Sequence, residues 1–145
     1  MKYLLSISLA LLFLGCSEEK EIKPSNIKYG EDLCAACSMI ISEELYSSQY
    51  ILTNGDVKKF DDIGCMIDHI KKKEGELDRI SAVFVRDYNS NQWINAKDAY
   101  FLHSRLIITP MGHGIIGFSN KEDLKKEQAK TGGKYLGNLL DLFNK

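Results

Sequence analysis

The sequence predicts an α+β fold: two ββαβ units, read as a pseudo-duplication, that pack as one compact domain. Three observations predict it. Asn54-Gly55 separates two short strand-like runs that lead into an amphipathic helical stretch, and a similar succession of extended segments and a helix recurs from Tyr100 onward. The chain has 145 residues and 44% hydrophobic content, which suits a single globular core.

The chain begins with Met1-Lys2, an apolar run from Tyr3 to Leu14, and Gly15-Cys16, which together have the parts of a secretory signal. That run is too short to span a bilayer. Its end, Leu-Phe-Leu-Gly-Cys, is similar to a bacterial lipobox, in which cleavage leaves Cys16 as a lipid-bearing N-terminus. The competing reading is an ordinary signal peptide with an incidental cysteine. Residues 1–15 are therefore expected to be a signal peptide and residues 16–30, with Pro24 and several charges, a lipidated flexible tether. Residues 31–145 form the folded domain, with halves of about 31–90 and 91–145. The expected location is extracytoplasmic, lipid-anchored to a bacterial membrane and facing the periplasm.

Within the domain, Ser48 to Thr53 and Val57 to Phe60 read as a hairpin around Asn54-Gly55. Asp61 or Asp62 then caps a helix running to about Lys73, with Ile63, Met66, Ile67 and Ile70 on one face and Gly75 as its stop. Ile80 to Val85 is rich in β-branched and aromatic residues and reads as a third strand. In the second half, Tyr100 to Leu102, Leu106 to Thr109 and Ile115 to Phe118 look extended. A helix follows from Asn120 to about Lys130, then Thr131-Gly132-Gly133, a strand over Lys134 to Leu136 and a closing helix over Asn138 to Phe143. Phe60-Asp61-Asp62 and Phe118-Ser119-Asn120 occupy equivalent places in the two units.

The chemistry concentrates in Cys34-Ala35-Ala36-Cys37-Ser38-Met39, with two thiols and a thioether in six residues. Thiolate and thioether select Cu(I), whereas structural zinc takes four ligands, usually thiolate and imidazole. With Cys16 assigned to lipid, Cys34, Cys37 and Cys65 form an odd set, which resists a simple disulfide framework. A Cys34–Cys37 disulfide in a thiol-disulfide protein remains open, as does a structural metal domain, although the latter lacks a convincing fourth ligand. A c-type haem is excluded, because Ser38 stands where that attachment needs histidine. Cys65, Met66 and His69 form a second soft cluster on the first helix and read as core. His103 reads as a strand-edge histidine, and Asp61 and Asp62 as helix-capping residues. Met111, in Pro110-Met111-Gly112, is hard to explain as core, and His113 sits in a glycine-flanked loop able to close over a metal. With 19 basic and 20 acidic residues, the charge balance gives no footprint for a nucleic-acid partner.

Taken together, the CxxCxM of Cys34 to Met39, Phe60-Asp61-Asp62, Asp87 with Trp93 and Ala96, Thr109-Pro110-Met111-Gly112-x-Gly114, and Gly132-Gly133 resemble the NosL family. These are copper-binding accessory lipoproteins of nitrous oxide reductase maturation. The resemblance covers nearly all the mature chain; the family commonly has Gly at the place of Ser38. It implies a periplasm-facing Cu(I) carrier that is not an enzyme, with Cys37, Met39 and Met111 at the family's ligand positions. Cys34 and His113 are further candidates from the residues themselves. The implied partners are a recipient copper enzyme or its membrane assembly complex, with a homodimer around shared copper a further option.

Overall fold

The computed structural model describes residues 21–143. The expected signal segment and Cys16 lie outside the described residues. Among those residues no helix is long and apolar enough to cross a membrane.

The Asn54-Gly55 turn joins β1 (Ser48–Leu52) to β2 (Val57–Phe60), pairing Ser48 with Phe60 and Ile51 with Val57. Helix α1 (Ile63–Lys72) starts where Asp62 accepts a hydrogen bond from the Cys65 amide at 2.8 Å. This is the N-cap geometry that satisfies one of the helix's orphan donors. β3 (Ile80–Arg86) returns along the other edge of β1, so the first strand of the unit becomes its centre. A strand not foreseen in the sequence, β4 (Trp93–Asn95), extends this sheet by pairing Phe84 with Asn95 and Arg86 with Trp93. It belongs to the first sheet, which therefore runs to Asn95.

The second sheet comprises β5 (Tyr100–His103), β6 (Ile115–Phe118) and β7 (Lys134–Gly137), with α2 (Lys121–Thr131) between β6 and β7. Asn120 caps α2 by accepting from the Asp123 amide at 2.9 Å. The helix ends where Gly132 takes φ +62° and returns its amide to Gln128 O at 2.8 Å. α3 (Leu139–Phe143) closes the described chain. The sheet orders are β2-β1-β3-β4 and β6-β5-β7, every pairing antiparallel. Both units thus run ββαβ with the first strand central. This repeat is one of topology, and strand order does not establish duplication of an ancestral unit; β4 has no counterpart in the second sheet.

Leu106 to Thr109 is not a strand. Ser104 accepts the Leu106 amide on its hydroxyl at 3.2 Å and the Ile107 amide on its carbonyl at 3.3 Å. The segment turns instead of extending, a local polar bond overriding β-propensity. Leu106 and Ile108 are left 73% and 84% exposed.

Asp87 joins the sheets: it forms an isolated parallel bridge with Gly117, and its carboxylate accepts the Ser119 amide at 2.6 Å. Tyr50, Phe60, Met66, Val85 and Phe101, all fully buried, bring β1, β2, α1, β3 and β5 into one core. Truncating such an aromatic to alanine costs about 3–5 kcal/mol. A satellite cluster of Leu102, Ile107, Ile116, Phe118 and Leu124 lies under α2.

The stretch expected to be tether is held to the domain from Ser25 onward. Ser25 and Gln49 exchange two hydrogen bonds of 2.8 and 2.9 Å, and Ile27 is buried in the main core. Tyr29 is gripped by Ser47 and Arg86, both at 2.9 Å. Any free linker is therefore confined to the residues before Ser25.

Candidate metal centre

The Cys34–Met39 stretch is a small hairpin. Leu33 and Ile40 bridge antiparallel, Cys34 donates its amide to Met39 O at 2.8 Å, and Ser38 donates back to Cys34 O at 2.9 Å. The Ala35 amide donates to Lys59 O at 2.8 Å, fastening the loop to β2, and the Lys59 ammonium pairs with Asp32 at 2.7 Å. Closing so tight a loop forces Ser38 to φ +64°, a left-handed conformation that favours glycine. The fastening turns Cys34 inward, where it is 1% exposed, and leaves Cys37 half-buried at the surface.

Beneath this loop lies the start of α1, which supplies Asp61 and Cys65. The donor atoms of Cys34, Cys37, Asp61 and Cys65 all lie within 4.8 Å of one another. The three cysteines are free thiols. Cys37 donates its S–H to Asp61 Oδ2 at 3.6 Å, while Asp61 Oδ1 accepts the Asp62 amide at 3.0 Å. Burial pushes the Cys34 thiol up to about 11, and burial together with the Asp61 and Asp62 carboxylates pushes Cys65 higher still. Both are protonated without metal at neutral pH, so a metal must displace their protons to bind them.

The loop from Ser104 to Gly114 flanks the same helix start. Asp62, fully buried, accepts from Thr109 Oγ1 at 3.0 Å, the Met111 amide at 3.1 Å and His113 Nδ1 at 3.1 Å. His113 Nε2 faces Asp68 at 3.3 Å. The imidazole lies so closely over Gly64 that a Cβ there would collide with the ring. Burial alone would lower the His113 pKa, but Asp62 and Asp68 outweigh it and raise it above the ordinary histidine value. Asp62, Cys65 and His113 also gather their donor atoms within 4.8 Å.

Of the sequence candidates, Cys34 and Cys37 come together at the centre and His113 stands beside Asp62 and Cys65. Met39 and Met111 are 57% and 38% exposed on the two flanking loops. Cys65, read from the sequence as a core residue of a second soft cluster, and Asp61, read as a capping residue, join this donor group. Cys65 does lie in the core, but against the CxxC thiols, and its being the third cysteine of an odd set was the one available signal. Asp62 caps α1 as expected, and it also fastens the second loop. His69 belongs to neither donor group and packs edge-on to Phe60 at 5.3 Å. Cys65 and Asp61 bring the clustered donor atoms beside the CxxC pair to four, the number that the structural-metal alternative lacked in the sequence.

Fold and donor set define a small α+β domain equipped to hold a soft metal ion. The chain belongs to the NosL family, whose model matches residues 26–139. The copper-binding lipoprotein NosL of Stutzerimonas stutzeri is 26% identical over 144 residues, covering 92% of this chain and 75% of that protein. The crystal structure of the copper chaperone NosL from Shewanella denitrificans superposes with a TM-score of 0.69 at 23% identity. That match covers 78% of this chain and 90% of the other, and at this identity it establishes the fold.

Proposed function

We propose that this chain is a Cu(I)-binding chaperone lipoprotein that delivers copper for assembly of an extracytoplasmic copper enzyme, nitrous oxide reductase being the recipient its family suggests. The observation that carries the reading is the convergence of soft donors on one helix start. Cys34 and Cys37 meet there, while Met39 and Met111 project from loops fastened to the same place through Lys59 and Asp62. Thioethers beside thiolates suit Cu(I) over harder ions, and the similar proteins are named copper-binding lipoprotein and copper chaperone.

Copper is the cargo, so no bond-making step is needed. The site must hold Cu(I) against release yet yield it by ligand exchange. Cys37, half-buried, is open to an incoming ligand of the recipient, and the neutral methionines leave more easily than thiolates would. Uptake releases the thiol protons. Leu33, Ile40, Leu106 and Ile108, all more than half exposed on the same two loops, give a recipient apolar surface to dock on. Lipid on Cys16 keeps the domain near the membrane, since the linker before Ser25 reaches at most about 30 Å.

The test is an anaerobic Cu(I) titration of the lipid-free domain against a competing chelator, with Met39→Ala and Met111→Ala alongside. Tight stoichiometric binding weakened by both substitutions supports the carrier. The four-donor cluster of Cys34, Cys37, Cys65 and Asp61 favours structural zinc as a second reading. That reading predicts unfolding on chelation, whereas a carrier keeps its fold without metal.

A further inference from the structure

We propose that Cys65 joins Cys34 and Cys37 as a third sulfur ligand, giving the chain an inner three-thiolate seat for a soft d10 ion beneath the methionine-bearing loops. The inference rests on the carrier reading only for the identity of the physiological ion, Cu(I). Neither the family resemblance nor the sequence pattern assigns Cys65 to the site.

The geometry is already close to a ligand set. Metal–sulfur bonds of about 2.3 Å place three sulfurs of a trigonal site about 4 Å apart, and the three thiols lie within 4.8 Å of one another. Closure therefore asks for a contraction of under about 1 Å, within reach of side-chain rotation. Cys34 and Cys65 are 1% and 4% exposed and come from segments 31 residues apart, one on the hairpin and one on α1. Three free thiols from two distant segments thus meet at one point, two of them buried and the third at a surface opening. Cys65 occupies the first turn of α1, where the positive end of the helix dipole favours negative charge.

The arrangement divides labour along the depth of the site. Cys37, half-exposed and two residues from Met39, is common to both levels. Copper arrives at Met39 and Cys37 and settles inward as the Cys34 and Cys65 thiols bind it, each new Cu–S bond forming as the thiol proton passes to solvent, while the thioethers close the outer side. Delivery reverses the exchange through Cys37. The inner seat retains the ion; the outer one transfers it.

Cd(II) bound to the reduced chain tests this without reference to copper, because sulfur-to-cadmium charge-transfer absorption scales with the number of thiolates. Cys65→Ser should lose roughly a third of that absorption and Met39→Ala none of it. With Cu(I), X-ray absorption should count one fewer short Cu–S contact in Cys65→Ser than in the wild type. The variant should also lose about tenfold or more in affinity against a chelator, with an unchanged far-ultraviolet circular dichroism spectrum. If Cys65→Ser destabilises the fold, cadmium absorption on the folded wild type still decides: two thiolates overturn the inner seat and three support it. Full cadmium absorption and unchanged copper affinity in Cys65→Ser overturn it too. Failure of the carrier reading looks different, as Met39→Ala and Met111→Ala would then bind copper like the wild type while the cadmium result stood.

Discussion

The backbone amide of Met111 donates to the Asp62 carboxylate at 3.1 Å across 49 residues of sequence. Through this bond the second sheet's loop is held to the helix that carries Cys65. The neighbouring Asp61 does the same for the first loop by accepting from Cys37. Two adjacent carboxylates therefore set the spacing of donors that the sequence scatters from Cys34 to His113.

Removing the Asp62 carboxylate should be costly. It is fully buried and accepts from the Cys65 amide, Thr109, the Met111 amide and His113. Asp62→Ala loses an N-cap worth about 1 kcal/mol and strands buried donors at about 1–3 kcal/mol each before relaxation. A total loss of about 3 kcal/mol or more is expected from the urea midpoint at unchanged slope. A loss under about 1 kcal/mol would mean that the loop is fastened by something else.

Ser38 offers the opposite sign. Its φ of +64° costs a residue with a Cβ about 1–2 kcal/mol, offset in part by the greater chain entropy of glycine. Ser38→Gly should stabilise the metal-free domain by about 0.5–1 kcal/mol and leave copper affinity unchanged. Destabilisation by the same amount would show that the serine side chain contributes to the loop. The family's usual glycine at this place thus has a backbone cause.

Asp87 contributes to the acid limit. Burial would raise its pKa, but hydrogen bonds from Ser119 and Ser90 outweigh that and hold the carboxyl below the usual value of 3.8. A carboxyl depressed on folding stabilises above its unfolded value, and that stability is lost as pH falls through the folded one. Wild-type stability should therefore drop below about pH 4, and the part belonging to Asp87 should vanish in Asp87→Asn. Parallel pH–stability curves for the two proteins in that range would contradict it.

Legibility in the sequence followed the range of the forces involved. The Asn54-Gly55 hairpin, the Asp62 and Asn120 caps and the Gly132 stop were readable because each acts within four residues. β4 was not, since three half-buried residues between Asn91 and Asp98 carry no periodicity, and only pairing with β3 makes them a strand. Leu106 to Thr109 read as extended because its composition says so, while Ser104 bends it. The CxxCxM spacing singled out Cys34 and Cys37, whose sulfurs the fold brings together, and Met39 on the same hairpin. Cys65 sits on a helix face whose apolar pattern explains a buried sulfur equally well, and only the hairpin folding over α1 tells a ligand position from a core position.

The sulfurs of two loops and one helix are proposed to act on a single soft ion. The most direct test is the anaerobic Cu(I) titration of the reduced, lipid-free domain against a competing chelator, with Met39→Ala and Met111→Ala measured in parallel. Tight stoichiometric uptake, weakened about tenfold or more in each variant with the fold intact, is the predicted result. Absence of tight uptake, or binding indifferent to both methionines, would contradict it and leave a thiol-redox domain on the same fold.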